Sequence, residues 1–397
     1  MSGRREALRV LHAGALDSIH LARWVELTAE LGHVPLVAGH LRRGFTAARL
    51  PPLASGPHRS WQLPWASTRG AQLTGRALHR ALASLPNRML EVPVWAAWLR
   101  RLTRRLEPDV VHAHWLPYWG AAAALAGTRP LVAGAMGSDV YMLDRVDRRL
   151  AEVALAGAQA VVAPSPHAAA VLGSRSRRPH SCIHLEPGID LDAFRPPTEA
   201  GRHAARRAFG LGDGPVVLSF RAARPVCGLP LAIEAFRRLR QRRPDVQLLV
   251  VHGPIPLDEA SKSALMSLDG GVRALGAVPH AQMRACYHAA DVGLSVPTSD
   301  GSPVSLWECL ACGTPAVCSN LPQLAARLGE RSGVSFAERT PAAVAAALDA
   351  VLADRSEARA LGLAGREWCK ANVDGRESLR RLDRLYQGVV SSSGTRP

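Results

Sequence analysis

Ser299-Asp300-Gly301-Ser302-Pro303-Val304-Ser305-Leu306-Trp307-Glu308-Cys309-Leu310-Ala311-Cys312-Gly313-Thr314-Pro315 reads as a loop feeding a short helix whose start can receive an anion. Ser302 suits the N-cap, Pro303 the first helical position and Gly313 the stop. The amides of Val304 and Ser305 are then expected to be free donors at the positive end of the helix dipole. Asp300 stands in the loop before that site, and Glu308 lies about a turn and a half inside the helix. Amides suit a phosphate, while carboxylates accept hydrogen bonds from sugar or ribose hydroxyls. The segment therefore has the groups to hold both ends of a sugar nucleotide.

Apolar runs flank this segment at 292–296 and 317–319, which makes it the turn and helix of a strand–helix–strand unit. Further strands are expected at 216–220, 246–252 and 272–275, with helices near 231–241 and 281–290 between them. The first half repeats the alternation, with strands at 9–13, 34–38, 108–115, 131–135, 160–165 and 183–190 and a helix at 19–31 closed by Gly32. Such alternation implies parallel sheets with right-handed crossovers. The fold class is thus α/β: two doubly wound, Rossmann-like domains facing across a cleft. Residues 195–201, rich in proline, are the expected linker. The expected division is 1–195, 196–370, a last helix within 371–390 that crosses back to the first domain, and a disordered tail from 391. Ligands of these sheets sit at the carboxyl ends of strands. Gly14, His114, Met136, Gly137 and Asp139 fall there in the first half, and Arg221 and Asp300 in the second.

A chain of 397 residues exceeds one comfortable core, which agrees with two domains. Its longest apolar stretch, 119–127, is far too short to span a membrane, and His12 and Asp17 interrupt any signal-like run near the start. A cytoplasmic location is expected. The net charge of +16 is carried almost wholly by arginine, since Lys262 and Lys370 are the only lysines. Those arginines are scattered, few aromatics accompany them, and no nucleic-acid-binding signature occurs, so nucleic acid is excluded as a partner. Peripheral contact with an anionic inner membrane face is the functional reading of the charge. The pattern at 90–106 fits a basic amphipathic helix that covers a sheet, in preference to one resting on a membrane. The seven cysteines have no disulfide or metal spacing, and Cys309 and Cys312 read as small helix residues. His112 and His114 share one face of a strand, but the sequence signals no third metal ligand.

Several ordered motifs resemble the retaining glycosyltransferases of the GT-B fold, in glycosyltransferase family 4. The strongest is Asp300…Glu308 within Asp-Gly-Ser-Pro…Glu-Cys-Leu-Ala-Cys-Gly-Thr-Pro, two acids separated by seven residues. Others are Leu275-Gly276-Ala277-Val278-Pro279…Tyr287-His288-Ala289-Ala290-Asp291-Val292, Pro187-Gly188-Ile189-Asp190…Phe194 and Pro108-Asp109-Val110-Val111-His112-Ala113-His114. The resemblance implies that Glu308 holds the ribose hydroxyls, that Asp300 contacts the donor sugar, and that amides around Gly301, Ser302, Pro303, Val304 and Ser305 meet the diphosphate. Arg221 matches the family's phosphate-binding arginine and would neutralise charge on the leaving group.

Three positions depart from the family pattern. The first acid is Asp300 where glutamate is usual. Val226 stands where the phosphate lysine is usual, five residues after Arg221, and Arg224 would supply that charge. Met136 occupies the place of a sugar-contacting histidine. What the resemblance implies is transfer of a sugar from a nucleoside-diphosphate sugar to a hydroxyl of a carbohydrate, lipid-linked or small-molecule acceptor, with no metal and no cofactor. The alternative is a catalytically silent sugar-nucleotide-binding or scaffold protein of the same fold.

Overall fold

A computed structural model of the chain describes residues 6–16, 18–40, 59–62, 87–178, 181–253, 255–268, 270–329 and 332–394, with backbone alone at 59–62 and 87–90. The chain divides into two compact units, one of residues 1–187 with 378–397 and one of residues 188–377.

The first unit is built on a seven-stranded parallel sheet ordered β3-β2-β1-β4-β5-β6-β7. Its strands are β1 (Arg9–Ala15), β2 (Val34–His40), β3 (Arg59–Gln62), β4 (Val110–His114), β5 (Leu131–Gly134), β6 (Ala160–Ala163) and β7 (Cys182–His184). Side chains alternate across the sheet. Leu11, Ala13, Val111, Ala113, Leu131 and Ala133 enter one core with Trp95, Leu99 and Trp119. Val10, Val110, Val132 and Val162 enter the opposite one, covered by Trp24 and Leu27 of helix Ile19–Glu30 and by Leu382, Tyr386 and Val389 of helix Gly375–Ser392. Leu382, Tyr386 and Val389 recur at helical spacing, so a single face of that helix is buried. Each leucine so buried contributes about 1.5–3 kcal/mol.

The second unit is a six-stranded parallel sheet ordered β10-β9-β8-β11-β12-β13. Its strands are β8 (Val216–Ser219), β9 (Gln247–Val251), β10 (Val272–Leu275), β11 (Val292–Ser295), β12 (Ala316–Ser319) and β13 (Val334–Ala337). In both sheets the strand order reverses between the first and fourth strands, β1/β4 and β8/β11, and such a switch point opens a crevice at the carboxyl ends. Gly293 of β11 lets helix Val304–Ala311 dock on the sheet, because a Cβ there would meet Cys309 Sγ at 2.7 Å and the Phe220 ring at 2.8 Å.

The domain limits differ from those expected of the sequence. The change of unit falls at Pro187/Gly188, and the proline-rich 195–201 stretch lies inside the second unit. The Arg366 guanidinium fastens the segment just before it by donating to the carbonyls of Leu191 (3.0 Å) and Phe194 (2.6 Å). Helix Gly375–Ser392 runs two residues into the expected tail, and residues 395–397 lie outside the described residues. The expected strand at 183–190 is only three residues long. The helix expected at 90–106 begins at Asn87 and buries Val92, Trp95, Leu99 and Leu102, so it covers the sheet; most of the irregular stretch before it lies outside the described residues.

Candidate active site

The acidic segment and Arg221 converge at the β8/β11 switch point. Arg221 follows β8 by two residues and Asp300 follows β11 by five. The two loops are tied together, with Thr298 N–H donating to Val226 O at 2.8 Å. Arg221 Nη2 donates to Asp300 Oδ2 at 2.5 Å and Nη1 to Ser305 Oγ at 3.1 Å. Burial is the largest influence on Arg221 and works against its charge, yet Asp300 and Cys227 beside it together hold the guanidinium pKa above its ordinary value. Asp300 is fixed from its other side too, since Gln323 Nε2 donates to its carbonyl at 3.1 Å.

Glu308 is 5% exposed, a buried carboxylate that requires partners. His280 Nε2 lies 2.6 Å from Oε1, and Tyr287 Oη donates to Oε2 at 2.9 Å. Burial and then the Glu308 charge push the Tyr287 phenol well above its usual pKa, so it stays a donor. His280 and Tyr287 were not singled out as site residues from the sequence. Their separation of seven on helix His280–Ala289 was the signal, because it sets both on one face.

The helix start corrects two expectations. Pro303, not Ser302, is the cap residue, and the Ser302 hydroxyl accepts instead from Trp307 Nε1 at 2.9 Å. The Val304 amide is not free, because it donates to Ser302 O at 3.0 Å. Ser305 is second in the helix, where a turn has no intrahelical acceptor for its amide. Gly301 lies in the bend between Asp300 and this start. Gly313 closes the helix with φ of 73°, as its stop signal requires. Arg224 is exposed and caps the short helix Pro225–Cys227.

In the first unit the expected ligand-facing residues are committed internally. Asp139 is 1% exposed and accepts from the amides of Met136 (2.7 Å), Gly137 (2.9 Å) and Leu116 (3.0 Å). Burial pushes its pKa up to about 6 against the pull of those amides. Asp139 thus clamps the β5 loop, with Gly137 at φ of 106° and Met136 half-buried. Gly14 lies within β1, where its carbonyl leaves Gly39 no room for a side chain. His114 is 2% exposed, with Nε2 3.0 Å from His12 Nδ1.

Residues 202–368 match the model of the family described as glycosyl transferases group 1, and residues 20–193 match that of Glycosyltransferase Family 4. The chain is 29% identical over 340 residues to a GDP-mannose-dependent alpha-(1-6)-phosphatidylinositol monomannoside mannosyltransferase of Mycolicibacterium smegmatis, covering 79% of this chain and 85% of that one. It is 30% identical over 278 residues to a D-inositol 3-phosphate glycosyltransferase of Geodermatophilus obscurus, covering 62% of this chain and 60% of that protein. The fold is similar to that of sucrose-phosphate synthase from Thermosynechococcus elongatus, with a TM-score of 0.76 at 18% identity over 97% of this chain and 100% of that one.

Proposed function

This chain belongs to the glycosyl transferases of group 1 and is a glycosyltransferase of the GT-B type, and on that premise we propose a retaining transfer from a nucleoside-diphosphate sugar to an acceptor hydroxyl. The observation that carries the reading is the grouping of Arg221, Asp300 and Ser305 at one switch point, on the elements that also carry buried Glu308. Glu308 accepts from the ribose hydroxyls in exchange for His280. Asp300 turns to the sugar hydroxyls, and Arg221 with the first-turn amides takes the diphosphate. Charge grows on that diphosphate as the glycosidic bond breaks, and an arginine already charged and held in place needs little reorganisation to meet it. The departing phosphate helps to deprotonate the acceptor on the same face of the sugar, so the protein supplies no nucleophile. The second unit holds the donor and the first the acceptor.

The names of the relatives support GDP-mannose as the first donor to test and an inositol-containing or lipid-linked acceptor. A thermal-shift screen against GDP, UDP, ADP and their sugars reads donor choice, and selective stabilisation by one diphosphate is expected. The anomeric configuration of the product, read by NMR, tests retention. Val226 and Met136 favour a second reading, a silent sugar-nucleotide binder. Binding with neither transfer nor donor hydrolysis over a broad acceptor panel would establish that reading instead. No helix of the described residues is long and apolar enough to cross a membrane. The charge of +16 supports peripheral binding at the cytoplasmic face, which flotation with and without anionic lipid tests.

A further inference from the structure

The first unit gathers three imidazoles at its own switch point, none of which serves in the donor site proposed for the second unit. His12 lies on β1 and His112 and His114 on β4, and the register pairs His12 directly with His112. All three are at most 2% exposed. One ring nitrogen from each lies within 4.8 Å of the other two. Sequence alone offered two of these ligands; the third comes from a strand one hundred residues earlier.

The hydrogen bonds around the cluster do not close on themselves. Thr28 Oγ1 donates to Trp24 O at 2.9 Å, so its proton is committed and His12 Nε2 must donate to it, also at 2.9 Å. His12 Nδ1 then accepts from His114 Nε2–H at 3.0 Å, a bond that a cation on His12 Nδ1 would displace, and His112 Nδ1 pairs with Tyr386 Oη at 2.8 Å. His112 Nε2 and His114 Nδ1 are buried with no hydrogen-bond partner. Both lie beside Gly134, where a Cβ would stand 3.1 Å from the first and 3.4 Å from the second.

We propose that His12, His112 and His114 form a binding site for a single borderline divalent cation of the zinc class. Imidazole nitrogen is a ligand type that such ions prefer, and magnesium and calcium do not. His12 and His112 each bond an outer partner through one nitrogen, Thr28 and Tyr386 respectively, an arrangement that orients a ligating ring. Water fills the remaining coordination position. The ion's role is structural: it ties β1 to β4 beneath the helix that carries Tyr386.

The test uses the full chain without a polyhistidine tag, equilibrated with zinc sulfate and desalted. About one zinc per chain is expected to remain, against none for magnesium. Substitution with cobalt(II) is expected to give the visible absorption of a low-coordinate nitrogen site. His112→Gln loses the retained ion, while His20→Gln, at an exposed histidine, keeps it. Should His112→Gln fail to fold by circular dichroism, Tyr386→Phe carries the test, with zinc affinity about 10–100-fold weaker in competition with a chromophoric chelator. A chain that retains no zinc, or retains it equally in His112→Gln, or affinity unchanged in Tyr386→Phe, overturns the proposal and leaves a water as the partner of the two nitrogens.

Discussion

Gly228 packs against Val296 so closely that a Cβ would stand 2.3 Å from the Val296 carbonyl oxygen, and its φ is 74°. It turns the chain from the Arg221 loop into helix Leu229–Arg242 while pressing that loop on the end of β11. Gly228→Ala is therefore expected to cost about 1–3 kcal/mol in stability from the backbone conformation alone, with more from the contact. Thermal unfolding reads the cost. Donor affinity should fall with it, because the Arg221 and Asp300 loops lose their shared seat; an unchanged melting temperature would refute this account.

Arg221→Ala should lower kcat by about 10²–10³. Arg221→Lys should recover only part of the loss, because an ammonium cannot contact Asp300 and Ser305 through two nitrogens at once. Steady-state kinetics with varied donor measure both. Full activity in the alanine variant would remove Arg221 from the phosphate site.

Glu308→Gln should weaken nucleoside-diphosphate binding by about 10–100-fold, as expected when a charged hydrogen bond is lost. The same change should have no effect on a dideoxyribose analogue, which offers Glu308 no hydroxyl. Calorimetry on the four combinations isolates the coupling. Equal losses for both nucleotides would mean that Glu308 acts through His280 and Tyr287 and not on the ribose.

Asp139 gives a pH signature opposite to that of a salt-bridged carboxylate. Its folded pKa, about 6, exceeds the ordinary 3.8, so between those values the folded state binds more protons than the unfolded. Stability from this group is then largest below about pH 4 and is lost as pH rises through about 6. Asp139→Asn removes the titration and sets an amide nitrogen against one of the backbone donors. The variant should be less stable, with a gap to the parent that narrows from pH 4 to pH 6 in chemical denaturation. A gap that widens with pH would contradict the assignment.

Much of the fold was legible because each strand was a short apolar run and each helix had a stop. Val216–Ser219 and Val292–Ser295 were bounded within two residues, since burial on both faces leaves little else in the pattern. The grouping of the candidate site was legible where motif and topology coincide, at Arg221 and Asp300 and on the helix that carries Glu308. It was not legible where a distant side chain decides a local bond. Ser302 has the chemistry of a cap, but Trp307 claims its hydroxyl and the proline takes the cap position. The approach of His12 to His114 depends on β1 pairing with β4, a register that no local window contains. The unit boundary was misplaced for a similar reason: 195–201 has a linker's composition, and Arg366 fastens the segment before it from far along the chain.

The discontinuous first unit has a consequence for biosynthesis. Residues 188–377 form a continuous insert whose two ends are already neighbours, Ile189 bridging Asp374. A ribosome makes that whole insert before it makes Ser378–Pro397, which the first unit needs to finish covering Val10, Val110 and Val132 and to give His112 its tyrosine. The half that is translated first is therefore completed last. During synthesis one face of its sheet waits only partly covered, and a chain truncated before Leu382 would leave the second unit intact and the first permanently unfinished.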